Sequence, residues 1–288
     1  MVVNNCILES VATAIKLGTG SEGDFINLNF SNCTIRNSGV GIGFFIKDGG
    51  TAEKITFSNL SIETTKDLSQ ITDQLINTMI PIYLDIEKRY ENSEIGSIRD
   101  ITFRDIYIDS GSNSLIQGMP ESPIENLVLD NITFRVNKEL DFSERVKRGG
   151  GVSNTNDDRR TKYIRHQTYF SIANVNDLFI SNIKVLLTEE VFEKFDRSAI
   201  ALFEINKGII QNISRQPAGN IKQKEPILRL DNCSNMYILN CIVLEDTNSF
   251  VGISGERTNR IVLKINEFSN IKKAFLISKE VPKGEVIK

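Results

Sequence analysis

The chain has 288 residues, 40% of them hydrophobic and 25% charged, which suffices for one continuous core. A net charge of −3 gives no electrostatic reason to expect nucleic acid as a partner, and no apolar run approaches the ~18 residues of a membrane-spanning helix. With one His, four Cys and no Cys-x-x-Cys, neither a metal site, a cofactor nor a disulfide framework is expected.

From the first residues onward, six-residue phrases of one type return. Strong copies are Phe30-Ser31-Asn32-Cys33-Thr34-Ile35, Phe57-Ser58-Asn59-Leu60-Ser61-Ile62, Leu129-Asp130-Asn131-Ile132-Thr133-Phe134 and Ile180-Ser181-Asn182-Ile183-Lys184-Val185. Weaker copies surround Asn5, Asp105, Asn212 and Asn240. Taking the Asn or Asp as a marker, successive gaps are 27, 27, 46, 26, 51, 30 and 28 residues. Five of these fall in the range of stacked repeat units, and the two long ones read as a repeat plus an inserted loop, near 63–80 and 135–168.

Between the markers, a second strand is expected in each repeat, at 14–17, 44–47, 82–86, 115–117, 170–172, 200–203, 227–230 and 251–254. Helical spacing is found only at 66–78 and 189–195. A strand this short cannot bury its inner face alone, so successive turns of chain must stack in register. The expected fold is all-β: a single right-handed parallel β-helix over 1–288 with two long inserted loops. At about 4.8 Å per rung, roughly nine rungs make a rod on the order of 40 Å long.

The marker Asn is expected to form a buried ladder of side-chain hydrogen bonds at one bend. The glycosylation acceptor patterns at Asn29, Asn32, Asn59, Asn131, Asn212 and Asn232 are then read as products of the repeat. Cys6 and Cys33 hold equivalent places in adjacent repeats and, with Cys233 and Cys241, are read as core thiols. The chain opens inside a repeat, without the basic and apolar regions of a secretion signal. Because a solenoid needs a cap over its first coil, upstream coils are expected to be missing. A signal carried there would place the protein outside the cell or in the periplasm.

In the stretch 5–63, Ala14-Ile15-Lys16-Leu17-Gly18-Thr19 precedes Asn32-Cys33-Thr34, then Gly43-Phe44-Phe45-Ile46-Lys47, Gly49-Gly50 and Ile55-Thr56-Phe57-Ser58-Asn59-Leu60. This order resembles the polygalacturonase-type glycoside hydrolases of family 28, right-handed parallel β-helices that cleave pectin. Their pattern runs Gly-His-Gly-Ile-x-Ile-Gly-Ser, Asn-Cys-Thr, Gly-Ile-Arg-Ile-Lys, a Gly-Gly pair and Phe-x-Asn-Ile. Pro81-Ile82-Tyr83-Leu84-Asp85 through Tyr90 resembles the family's next rung. The resemblance covers the later half of the family's pattern only. The family's catalytic carboxylates fall before Met1, its His falls near Thr13, its Arg falls at Phe45, and only Lys47 stands at a substrate-binding position. Asn154-Thr155-Asn156-Asp157-Asp158 is superficially similar to the carboxylate motifs but reads as a solvated turn.

Strand alternation predicts that Lys47 faces outward with Gly18 and Asp85 flanking it, either to meet a galacturonate carboxylate or to form a surface ion pair with Asp85. Asp85 and Glu87 share a strand face about 7 Å apart, within reach of the inverting geometry, and are the candidate catalytic pair; the alternative is two solvated carboxylates. Lys16, Tyr83, Arg89 and Tyr90 are the further candidates for a sugar groove, set against ordinary surface. The second insertion carries Arg145, Lys147, Arg148, Arg159, Arg160, Lys162, Arg165 and His166, suited either to a polyanionic sugar or to plain solvation. The resemblance implies a hydrolase-like protein acting on pectin or a related acidic polysaccharide, incomplete or catalytically impaired. The other reading is a non-catalytic carbohydrate-binding or structural β-helix. Either way the partner is a polysaccharide or oligosaccharide.

Overall fold

A computed structural model describes residues 1–64, 79–136, 168–188, 191, 196–216, 224–243, 249–268, 271 and 273–287. Every named element is a strand, and every strand pairing among the described residues is parallel. The pairings form two ladders. The first runs β1 (Val2–Asn4), β4 (Phe25–Ser38), β6 (Thr51–Thr64), β8 (Ser97–Asp109), β10 (Ile124–Val136), β11 (Thr168–Leu187), β12 (Ser198–Gln216), β14 (Ser234–Leu239), β16 (Asn259–Lys264) and β18 (Val286–Ile287). The second runs β3 (Thr13–Thr19), β5 (Val40–Ile46), β7 (Ile80–Ile86), β9 (Ser114–Gln117), the first residues of β11 and β12, then β13 (Leu228–Asp231), β15 (Val251–Ser254) and β17 (Phe275–Ile277). Short β2 (Ile7–Leu8) pairs with the far end of β4. All eight expected second strands are present, and the sheet curls so that both ladders supply one core.

The curl comes from backbone bends. The markers Asn32, Asn59, Asp105, Asn131, Asn182, Asn212 and Asn240 all have φ between 50° and 56°, the left-handed conformation that Asn and Asp tolerate best. A second left-handed residue precedes each by five positions: Asn27, Lys54, Asp100, Asn126, Asp177, Lys207 and Asn235. Arg260 and Ile265 repeat the pair once more. Four residues between the bends, such as Leu28 to Ser31, form a short strand whose alternate side chains turn inward.

The expected ladder exists. Asn59 donates to Asn32 Oδ1, Asn131 to Asp105 Oδ1 and Asn212 to Asn182 Oδ1, each at 2.7 Å, and Asn182 donates to Asp130 Oδ1 at 3.0 Å. The expectation that it is buried is corrected: these markers are exposed. The left-handed bend directs the marker outward while Phe30 and Cys33 on either side turn into the core. Burial is therefore no ground for setting aside the acceptor patterns at Asn32, Asn59, Asn131 and Asn212.

Inward rows stack like on like. The rings of Phe30, Phe57 and Phe103 lie 4.9 Å apart at 7° to one another. In the second ladder, Leu17, Phe44, Leu84, Ile116, Ile172, Leu202 and Leu230 continue one row coil after coil. Cys33, Cys233 and Cys241 are buried free thiols and Cys6 is half-buried; burial pushes Cys233 up to about 12, so it packs as an apolar residue.

The helical reading at 66–78, the motif at 154–158 and the cluster from Arg145 to His166 lie outside the described residues, as does 189–195 apart from Val191. Among the described residues no helix is long and apolar enough to cross a membrane.

Candidate functional site

The residues singled out by the resemblance all fall on or beside the second ladder, where pairing fixes their neighbours. One outward row reads Gly18, Phe45, Asp85, Gln117, Ala173 and Phe203; the next reads Lys16, Gly43, Tyr83, Leu115, Ser171 and Ala201. This outward side is itself buried from β5 to the start of β12, where Val40, Tyr83, Leu115, Ala173, Ala201 and Phe203 form a second apolar cluster. Gly43 is needed there: a Cβ would lie 2.6 Å from the ring of Phe45, which crosses over it toward Tyr83 at 5.0 Å between centroids. Lys16 Nζ sits 5.4 Å over the same ring, still exposed to solvent.

The expected flanking of Lys47 by Gly18 and Asp85 is corrected. The stacked inward residues Leu17, Phe44 and Leu84 set the register, and they bring Gly18 and Asp85 level with Phe45. Lys47 follows Ile46 just as Glu87 follows Ile86, so the two meet across the coils as an ion pair. Neither faces solvent: Lys47 is 1% exposed and Glu87 4%, where a surface lysine was expected. Ser21 fixes the backbone here, its Oγ accepting from the amides of Lys47 (2.8 Å) and Asp48 (2.9 Å).

Asp85 is fully buried. Tyr83 Oη donates to its Oδ2 at 2.8 Å and Gln117 Nε2 to its Oδ1 at 2.6 Å, so both carboxylate oxygens are engaged. Arg89 pairs with Asp48 at 2.6 Å, and Tyr90 is exposed beyond it. The structure thus brings Lys47 and Glu87 together and joins Tyr83 to Asp85. Of the seven predicted residues it leaves Lys16 and Tyr90 exposed, with Arg89 partly so. A general acid or base must reach the substrate or an attacking water. Enclosed and engaged in this way, Asp85 and Glu87 anchor one coil to the next.

The first ladder holds an opening that the sequence did not announce. A groove of about 490 Å³ crosses four coils, with Asn32, Asn59, Asp105 and Asn131 on one bank and Thr34, Ser61, Tyr107 and Thr133 on the other. The second bank is the outward residue two places after each marker, and pairing puts those four in one row. The signal was present in the repeat phrase, but Thr and Ser at an outward strand position read as plain surface. Elsewhere, Arg215 is buried at the end of β12, donating to the carbonyls of Arg197 and Glu225, and burial pulls Arg197 down to about 10. Among the described residues no cluster of three or more His, Cys, Asp or Glu is disposed to hold a metal ion.

No protein-family model and no curated protein matches this chain.

Proposed function

We propose that the chain is a right-handed parallel β-helix of the pectinase type that binds polysaccharide and does not cleave it through Asp85 or Glu87. The observation that carries this reading is the enclosure of both carboxylates, Asp85 between Tyr83 and Gln117 and Glu87 against Lys47. Support for the fold comes from parallel pairing that advances one coil at a time, since a crossover between parallel strands of one sheet is right-handed in about 98% of cases. The order of motifs over 5–63 supports the family likeness, and the solvent-facing Lys16 and Tyr90 keep a polar, aromatic rim of the kind that holds sugars.

Incubation with polygalacturonate is expected to release no reducing sugar, while soluble polysaccharide cast into a native gel retards the protein. Sugar release by the wild type, lost in Asp85→Asn with an unchanged circular dichroism spectrum, would restore the hydrolase reading with Asp85 as a participant.

A further inference from the structure

The groove on the first ladder has the form of a track. Its two banks are rows of residues repeated at the coil spacing, about 4.8 Å, which is close to the length of one pyranose unit in an extended chain. A linear polymer lying along the stack would therefore meet an equivalent donor and acceptor set at each sugar. The banks are amide, hydroxyl, one phenol and one carboxylate, with Cys33, Leu60 and Ile106 between them and no cation in the lining. A polyanion would find only the Asp105 charge to repel it, whereas a neutral, hydroxyl-rich chain finds partners throughout.

The middle of the track has a specific irregularity. The amides of Asn59, Asn131, Asn182 and Asn212 donate to the preceding repeat, but Asp105 has no N–H to give. The hydrogen-bond ladder therefore stops between Asn59 and Asp105 and resumes with Asn131. Asn59 and Asp105 are adjacent lining residues of the groove, and between them stand two acceptors, Asn59 Oδ1 and the second oxygen of Asp105, with no donor of their own. A sugar hydroxyl supplies the donor that this step lacks, and a hydrogen bond to a charged acceptor is stronger than a neutral one. Beside the step, Tyr107 is 41% exposed and presents its ring to the groove, a platform for the apolar face of a sugar.

We propose that this groove binds an extended neutral polysaccharide, laid along the stack from Asn32 to Asn131. The ligand class rests on the polysaccharide-binding reading above, but the site lies on the opposite ladder from Lys16 and Tyr90. The test is native affinity electrophoresis of the full chain in gels containing hydroxyethylcellulose or polygalacturonate, with EDTA present to prevent cation bridging. Wild type is expected to be retarded by the neutral polymer more than by the acidic one. Tyr107→Ala and Asp105→Asn should each weaken the neutral interaction about tenfold with melting temperature no lower than wild type. Lys279→Ala, exposed and outside the groove, should leave it unchanged. If Lys16→Ala abolishes retardation while Tyr107→Ala is silent, the binding lies on the second ladder, which overturns this site and leaves the proposed function standing. Retention by polygalacturonate alone also overturns it, and retention by neither polymer overturns both readings.

Discussion

The two ladders share one core and one coil period, yet they treat their outer faces in opposite ways. Along β4, β6, β8 and β10 exposed and buried side chains alternate, as in a strand with one face in water. Along β5, β7, β9 and the first residues of β11 and β12 nearly every side chain is buried on both faces. The outward residues decide the difference: the row Thr34, Ser61, Tyr107 and Thr133 on the first ladder against Phe45, Tyr83, Leu115 and Ala173, drawn from two adjacent rows, on the second. A charge on the first ladder is a surface matter. On the second it must be paired, because desolvation without a partner is costly.

The sharpest way to break this comparison is to remove a charge from each side. Lys47→Ala takes one partner from the buried pair with Glu87 and is expected to cost about 3–5 kcal/mol in urea denaturation. Arg36→Ala, which removes an exposed pair with Glu9, should cost under about 1 kcal/mol. Equal losses would mean that the second ladder is not sealed in solution. The double variant Lys47→Met with Glu87→Leu should recover most of the loss, since apolar residues of similar volume replace a buried ion pair at little net cost.

A smaller effect separates conformation from hydrogen bonding at the bends of the first ladder. Asn59 holds φ 52° and donates to Asn32. Asn59→Ala is expected to cost about 1–2 kcal/mol, because a Cβ without a compensating local hydrogen bond disfavours the left-handed region. Asn59→Gly keeps the conformation and should cost less. If Gly and Ala are equally destabilising, the ladder bond rather than the backbone carries the position.

The same contrast explains what could be read from the residues alone. Asn at a fixed interval betrays the marker bend because few other residues accept a left-handed φ, and the alternation after it betrays the first ladder. The companion bend five residues earlier carried a fainter signal: Asn27, Asp100, Asn126, Asp177 and Asn235 share the marker's chemistry, but Lys54, Lys207 and Arg260 interrupt the row, since an exposed bend asks only for a tolerable backbone. On the second ladder the eight strands were legible, but the pairing of Lys47 was not. Alternation fixes which side of a strand a residue takes, whereas its cross-coil neighbour depends on how Phe44 and Leu84 stack. Burial of the outer face was hidden for a related reason, because Tyr83, Asp85 and Gln117 look polar until their mutual hydrogen bonds are seen.

The smallest predicted effect is a gain. The marker place in the last complete coil is filled by Ile265, with φ 56° and 80% of its surface exposed. A β-branched residue pays most for this conformation, and an exposed side chain recovers little from burial. Ile265→Asn should therefore raise stability by about 1 kcal/mol, seen as a higher urea midpoint at unchanged m-value. Ile265→Gly relieves the same backbone but also loosens the unfolded chain, so its gain should be smaller. An Asn gain well above the Gly gain would indicate that the new amide bonds to Asn240 in the preceding repeat, as Asn212 bonds to Asn182. A loss in both variants would mean that Ile265 holds its place through apolar contact, and the bend row would then owe less to backbone preference than the eight markers before it imply.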